Sequence, residues 1–452
     1  MMSRNCARAL LTGFALSALE ACASHSERTL PVRTALDAGE PRRAIQLLNE
    51  RLKVHDETDL PRDLDSENAL YVLDRGSIEQ SVGQFGRSKR DFEASDKAID
   101  MLDLAHDAAD AIGEYVFSGS SGKYQAPPYE KLLVNTLDML NYLELRDLNG
   151  ARVEARRLAV MQRYVADSLQ ERENPVLGLG ALLAGLTFEQ SGQIDEALRW
   201  YDQALGFSGF RALRGPVQLL LTRGRYRSRR LAEIETSADP SPPRSLEETG
   251  QAELVVVVGY GRVPHKIAQR MPIGLALTWA SGALSPTDTE AANQLAAQGL
   301  VTWVNYPTLG PDGGGYGLPS CTLDGTAVAL DEAVDVTSAV RAEWKKIEAK
   351  VIVSAITRTV ARFGAGKVAQ AAAGKEELLG TLLSLGAQVT LTALDTPDTR
   401  SWETLPARIA IARVRVPAGK HAVRIEARGV SRNVEVDLVS GGWAVTSLMA
   451  LR

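Results

Sequence analysis

The chain has 452 residues, a formal net charge of -5 at pH 7, 45% hydrophobic residues and 24% charged residues. These values are typical of a globular protein with two or three domains. The net charge is small, and the sequence contains no basic patch interleaved with aromatic residues. Both features argue against nucleic acid as a partner.

The first 22 residues have the pattern of an export signal. Arg4 and Arg8 accompany an apolar run over residues 7–19, which is too short to span a bilayer. The run ends in a short motif that resembles a bacterial lipobox: Leu19, Glu20, Ala21 and Cys22. We therefore predict a signal peptide over residues 1–21 and acylation of Cys22. Glu20 is unusual in this motif, and the alternative is an ordinary secretory signal in which Cys22 is incidental.

Acylation of Cys22 would anchor the protein on a membrane without a spanning helix, because each buried methylene contributes ~0.8 kcal/mol. An Asp after the cysteine would resemble an inner-membrane retention signal, but Ala23 follows it. We therefore expect the protein on the periplasmic face of the outer membrane. Cys6 would leave with the signal, and we expect the remaining Cys321 to be buried and inert.

A predicted tether over residues 22–30 is followed by helical periodicity over residues 31–235. The clearest unit covers residues 178–210, where small residues alternate with aromatic residues at helix-pair spacing: Gly185, Phe188, Ala197, Tyr201 and Ala204. This unit resembles a tetratricopeptide repeat, and weaker copies precede it at unequal intervals. We predict a degenerate tetratricopeptide-like superhelix whose concave face binds a protein or peptide. The alternative is a plain helical bundle.

Polar residues recur at helical spacing between residues 129 and 157. We identify five of them as candidates for binding a protein or ligand: Glu130, Asn141, Tyr142, Glu154 and Arg157. Glu154 and Arg157 are three positions apart on one predicted helix and can form an ion pair. Two interpretations remain open, a groove lined by Asn141 and Glu130 or a polar contact between helices with one solvated face.

A proline-rich linker over residues 236–250 separates this region from a mixed strand and helix region over residues 251–385. In the mixed region we predict a buried strand at 252–261, a strand at 300–307 and a helix from 336 to about 374. Residues 386–452 are β-rich. We predict the following elements there: a hairpin of strands 408–416 and 421–427, and strands at 434–438 and 443–448. The predicted fold class is α+β multidomain, ending in a small antiparallel β-sandwich.

Three stretches together resemble a group of poorly characterised bacterial envelope lipoproteins with a helical-repeat front half and a β-rich rear half. They are residues 129–157, the turn at 259–266, and residues 398–406 with 417–419. The resemblance implies a lipidated periplasmic protein and carries no known activity or catalytic residue. From the second and third stretches we select candidate interaction residues of the C-terminal half: Pro264, Lys266, Arg400 and Trp402.

The sequence offers little chemistry for catalysis. Its histidines and cysteines lack metal-ligand spacing, no Gly-x-Ser-x-Gly motif is present, and Gly259 and Gly261 lack the third glycine of a dinucleotide loop. We therefore predict no catalytic residue, metal or cofactor, and a non-catalytic scaffold that binds envelope proteins through the helical repeats. The alternative is binding or hydrolysis of a small ligand or glycan by the C-terminal domain, suggested by the glycine-rich stretch at 310–317 before Cys321.

We expect Cys22→Ala to abolish acylation and to release the protein from the membrane, because the thiol is the predicted attachment atom. Metabolic labelling with a fatty acid, followed by membrane fractionation, measures both effects. A variant that still fractionates with membranes would show that another segment anchors the protein.

Overall fold

The computed structural model describes residues 23–64, 67–101, 124–168, 174, 176–207, 210–236, 245–279, 284, 286–297, 303–311, 313–372 and 396–452. The predicted signal peptide, Cys22 and most of the predicted linker lie outside these residues. The described chain is a mixed α+β protein with a β-rich C-terminal part.

Over the described ranges, we find no helix with the length and apolar character needed to cross a membrane.

The described N-terminal half consists of a short helix followed by five helix pairs. The short helix is α1 (His25–Arg28), and the pairs are α2 (Leu30–Asp37) with α3 (Pro41–Leu52), α4 (Asn68–Ser81) with α5 (Phe85–Ala98), α6 (Pro128–Glu144) with α7 (Leu148–Ser168), α8 (Leu177–Gln190) with α9 (Ile194–Phe207), and α10 (Arg214–Leu221) with α11 (Arg229–Thr236). Two short strands, β1 (Asp100–Met101) and β2 (Gln125–Ala126), pair in parallel between the second and third pairs.

The predicted unit over residues 178–210 is confirmed as the pair α8 and α9. Its turn contains Gly192 with a φ of 73°, a left-handed conformation that glycine adopts without steric cost. Gly185 lies against the ring of Tyr201, so the two helices approach closely at this point. The local pattern of small and aromatic residues therefore predicted both the helices and their contact.

The first and second helices of the three central pairs differ in burial. The first helices α4, α6 and α8 are buried around almost their whole circumference. The second helices α5, α7 and α9 keep exposed residues along one side. The second helices cover one side of the first helices, and the C-terminal half of the chain covers the other side.

The described strands of the C-terminal half form two four-stranded sheets. The inner sheet has the order β12 (Trp443–Ala450), β3 (Gln251–Tyr260), β9 (Arg408–Pro417) and β8 (Asp331–Asp335), and the outer sheet has the order β11 (Val430–Leu438), β10 (Gly419–Ala427), β6 (Ser320–Leu323) and β7 (Thr326–Val328). β12 pairs with β3 in parallel, and the other neighbours in both sheets are antiparallel.

The inner sheet lies between the helices and the outer sheet. Along β3, Val255 and Val257 belong to the core shared with the helices, while Val256 and Val258 belong to the core shared with the outer sheet. Successive side chains of a strand point to opposite faces, so a strand buried on both faces is apolar at every position. This explains the continuous apolar run that predicted a buried strand at 252–261.

The predicted hairpin of strands 408–416 and 421–427 is wrong. β9 and β10 are adjacent in sequence but belong to different sheets, β9 pairing with β3 and β8 and β10 with β6 and β11. Only Ala418 separates them, and Gly419 has a φ of 143°, so the chain turns there from the inner to the outer sheet. The sandwich also uses strands from residues 251–335 and contains a parallel pair, so it is neither purely antiparallel nor confined to residues 386–452.

A smaller module extends from the inner sheet. Strands β4 (Lys266–Pro272) and β5 (Trp303–Leu309) pair antiparallel and pack with helices α13 (Ile273–Trp279), α14 (Pro286–Ala297) and α15 (Val336–Ala372). A further short helix, α12 (Leu246–Thr249), precedes β3. The predicted long helix from residue 336 is confirmed. Its 37 residues correspond to about 56 Å of helix.

We expect Gly185→Ala to destabilise the fold by ~1–3 kcal/mol, because the added Cβ would lie 2.4 Å from the Tyr201 ring. The matched control is Gly86→Ala in α5, where a Cβ meets no atom within 4 Å. The control should be neutral or stabilising by up to ~1 kcal/mol, since alanine favours helix. Denaturant unfolding measures both, and equal stabilities of the two variants would contradict the close helix approach.

Candidate functional site

The segment between residues 398 and 406 enters the helical half of the protein. Trp402 is fully buried, and its indole N–H donates to Ser77 Oγ on α4 at 2.9 Å. The backbone N–H of Trp402 donates to Glu130 Oε1 on α6 at 3.1 Å. Both predicted residues, Glu130 and Trp402, therefore meet in one buried contact between the two halves. Glu130 does not line an open groove.

Buried carboxyl groups surround this segment. The backbone N–H and hydroxyl of Thr404 both donate to Asp74 Oδ1, at 3.1 and 2.8 Å. Burial and the nearby Glu403 raise the pKa of Asp74 to about 7, against an ordinary value of 3.8. Burial also raises the pKa of Glu130. Both carboxyl groups therefore hold a proton to higher pH in the folded protein than an exposed carboxyl group does.

The described residues just after Cys22 are also part of the folded body. His25 is buried and stacks on Tyr71 with ring centroids 5.3 Å apart. Burial by itself would raise the pKa of Glu67, but His25 and Arg28 lower it to about 2. The backbone N–H of Ser26 donates to Thr399 Oγ1 at 3.0 Å. Residues 24–30, which we expected to belong to a tether, are thus packed against the core.

The other candidates on the helical half connect helices to one another. The Asn141 side chain is fully buried, accepting from Gln80 Nε2 at 2.7 Å and donating to Ser88 Oγ at 2.9 Å. The predicted ion pair of Glu154 with Arg157 forms at 2.8 Å, and Glu154 also accepts from Asn135. This is the polar helix–helix contact that was one of the two interpretations, and the groove lined by Asn141 and Glu130 does not exist.

Tyr142 is also largely buried, with 8% of its surface exposed. Its hydroxyl donates to Glu93, and its ring packs on Gly150 at the start of α7. Burial raises the pKa of this hydroxyl, and the hydrogen bond to Glu93 raises it further. Tyr142 therefore joins three helices and is a poor candidate for contact with a partner.

Three of the four candidates from the C-terminal half line one narrow cleft. Pro264, Lys266 and Trp402 meet there with Ser401 and Trp344, which the sequence analysis did not identify. The cleft offers about 20 Å³, enough for about one water molecule. Arg400, the fourth candidate, does not line this cleft. It pairs with Asp398 at 2.7 Å and lies over the Tyr124 ring.

Two polar atoms of this cleft, Ser401 Oγ and Trp344 Nε1, are buried and have no hydrogen-bond partner among the described residues. The volume is well below the 300–1,000 Å³ or so of ligand pockets, so the cleft does not accommodate a glycan in this conformation.

A much larger groove lies on the outer side of the helical half, between the second helices α7 and α9. It encloses about 480 Å³, which is within the usual range of ligand pockets. Ala155 and Ala159 on α7 and Phe188 on α8 line its apolar part. Gln162 on α7 donates to Gln203 on α9 across the gap, at 3.2 Å.

The sequence did not predict the groove because its residues belong to two separate helix pairs. A signal was nevertheless present on α7, where Val153 and Val160 fall outside the buried stripe. They are 46% and 64% exposed, and Tyr164 on the same side is 37% exposed. Large apolar side chains exposed together along one helix face are typical of a binding surface.

Other chemistry is sparse in the described residues. No group of three or more His, Cys, Asp or Glu side chains there is arranged to hold a metal ion. The prediction that Cys321 is buried is confirmed, and burial raises the pKa of its thiol. A protonated buried thiol is a poor nucleophile.

Comparison with known proteins found no matching family model, no matching curated protein and no matching solved structure.

We expect Asp74→Asn to flatten the dependence of stability on pH. A native pKa near 7 means that folded Asp74 keeps its proton where unfolded Asp74 loses it, so stability decreases as pH rises from about 4 to about 7. The loss attributable to this group is up to about 4 kcal/mol. The substituted asparagine side chain cannot titrate, and its amide oxygen can still accept from Thr404.

Denaturant unfolding at about pH 5 and about pH 8 tests this expectation. Glu50→Gln is the control, because Glu50 is an exposed carboxylate on α3 with a side chain 64% exposed. If Asp74→Asn loses as much stability between the two pH values as the wild type does, the carboxyl group does not carry the proton in the folded state.

Proposed function

We propose that the protein is a lipid-anchored scaffold on the periplasmic face of the outer membrane, where it binds another envelope protein and catalyses no reaction. In this proposal the helix pairs form a tetratricopeptide-like superhelix. Successive pairs with a short turn inside each pair, and first helices that pack on one another between α6 and α8, support this description.

The concave face of such an array is the usual place for a partner, but here the chain's own C-terminal half covers the first helices. Ser447 on β12 donates by its backbone N–H and its hydroxyl to Glu144 on α6, at 2.6 and 2.7 Å. Arg413 on β9 pairs with Glu189 on α8 at 2.9 Å. A partner would therefore have to bind the second helices.

The groove between α7 and α9 is the observation that carries the proposal. It has a volume of about 480 Å³, and a row of exposed apolar side chains on α7, formed by Val153, Val160 and Tyr164, lies beside it rather than in its lining. A protein partner fits this combination better than a small molecule does, because a small molecule in the groove would leave the neighbouring apolar row uncovered.

The proposed anchor would hold the start of the folded body, at α1, close to the membrane. If Cys22 is acylated, only Ala23 lies between it and Ser24, which is buried and forms hydrogen bonds with Glu27. Two residues span at most about 7 Å. The folded body would then lie directly on the membrane surface rather than at the end of a long tether.

We expect a photoreactive amino acid in place of Val160 to form a specific crosslink to another protein in intact cells, because this side chain lies at the centre of the exposed row. The control position is Val439, which is 73% exposed and lies just after β11 on the outer sheet. Mass spectrometry identifies the products. Absence of any product at Val160, or the same products at both positions, would count against the scaffold.

A further inference from the structure

The groove between α7 and α9 has a charge that differs from that of the protein as a whole. Three arginines line it, Arg156 and Arg163 on α7 and Arg199 on α9, against a single acidic residue, Glu196. The complete chain has a net charge of -5. The groove is therefore a local positive surface on a protein that is otherwise slightly acidic.

Two of the four arginines on α7, Arg156 and Arg163, have no internal role in the described structure. Arg156 and Arg163 are both exposed, and neither forms an ion pair or a side-chain hydrogen bond with a described residue. Other arginines of the helical half do: the buried Arg75 pairs with Asp91 at 2.6 Å, and Arg230 pairs with Asp202 at 2.7 Å. The two α7 arginines thus offer their guanidinium donors to a molecule outside the chain.

Arg199 is held in place at the opposite side of the groove. Its guanidinium lies over the ring of Tyr226, 4.5 Å from the centroid, and its distance from Glu196 is 3.7 Å, with both side chains more than half exposed. An exposed ion pair of this length contributes little and is readily replaced. Stacking on Tyr226 leaves the edge of the guanidinium able to bind a carboxylate.

Apolar and basic residues alternate along the exposed side of α7. At about 100° per residue, Val153, Val160 and Tyr164 fall within about 40° of one another around α7. Arg156 and Arg163 lie about 40–100° from them on the side that lines the groove, so the apolar and basic residues form two adjoining stripes of one broad exposed face. A segment that covers this face must bring acidic side chains to the arginines and apolar side chains to the valines. A simple anion would leave the apolar row uncovered.

We infer that the groove between α7 and α9 binds an acidic, amphipathic segment of the partner protein. Carboxylates of that segment pair with Arg156, Arg163 and Arg199, and one of its apolar side chains packs on Ala159 and Phe188 in the groove. This inference rests on the proposed scaffold function and specifies which partner segment the scaffold recognises.

Selection of random peptides displayed on phage, using the mature protein purified in detergent, tests the inference. We expect the enriched peptides to contain several Asp or Glu residues and at least one large apolar residue. A synthetic peptide with the enriched sequence should bind more weakly as salt increases, and replacing its carboxylates by amides should weaken binding by about tenfold or more.

Two arginine variants and a matched control locate the binding. Arg156→Glu with Arg163→Glu should weaken the peptide by about tenfold or more, and Arg156→Gln with Arg163→Gln should weaken it less. The control, Arg42→Glu with Arg43→Glu, makes the same charge change at exposed positions on α3 and should leave binding unchanged. Thermal unfolding of each variant shows whether it is folded.

Several results would overturn the inference. The first is enrichment of peptides that lack acidic residues. The second is enrichment that is no greater on the wild type than on the protein with Arg156→Glu and Arg163→Glu. The third is a loss of binding in the α3 control as large as that in the α7 variant. Binding to phosphatidylglycerol vesicles is measured separately. If vesicles bind through Arg156 and Arg163 and no acidic peptides are selected, the groove binds lipid headgroups and the inference is wrong. A crosslink from position 160 to a non-acidic segment would refute the inference but keep the scaffold, whereas no crosslink would refute the scaffold.

Discussion

The insertion of Trp402 between the first helices is the contact on which the arrangement of the two halves depends. The indole is fully buried, and the indole and backbone N–H groups of this residue have partners on helices 325 and 272 residues earlier in the chain. Burying such a large side chain is strongly favourable, and its polar atoms are not left unpaired. The segment around Trp402 therefore fixes where the β-rich half lies on the helices.

A second contact between the halves is ionic. Arg413 on β9 pairs with Glu189 on α8 and with Glu253 on β3, and its guanidinium donates to the hydroxyl of Tyr201 at 2.7 Å. Burial of such a group is costly unless each charge is compensated, which this arrangement achieves with two carboxylates and a hydroxyl. The inner sheet is thus held to the helices by apolar burial at Trp402 and by paired charges at Arg413.

These contacts change which surface of the helical half is available. The first helices are covered by strands of the C-terminal half of the same chain, so they do not offer a surface to a partner. The second helices remain outside, and on α7 and α9 they carry the groove, the exposed valines and the arginines. The proposed binding function therefore belongs to the opposite side of the helices from the one that the repeat pattern indicated.

The sequence by itself determined the elements whose signal is local. The α8 and α9 unit, the β3 strand, the long helix α15 and the pairing of Glu154 with Arg157 all depend on residues a few positions apart, so periodicity and spacing were sufficient to predict them. Local periodicity and spacing did not predict the order of the strands in the sheets. Apolar and polar residues alternate along β9 and β10 as they do in the strands of a hairpin. This pattern does not specify which strand lies beside each of them in a sheet.

Tertiary structure alone decided the environment of the polar residues. Glu130 and Asn141 have a spacing that suits either an exposed groove or a buried contact, and the two outcomes differ only in what packs against the helix. Pro264, Lys266 and Trp402 reach one cleft because the segment around Trp402 packs against the first helices beside the start of β4. The groove lined by Arg156 and Arg199 likewise forms only when two helix pairs pack side by side, because its two walls come from different pairs.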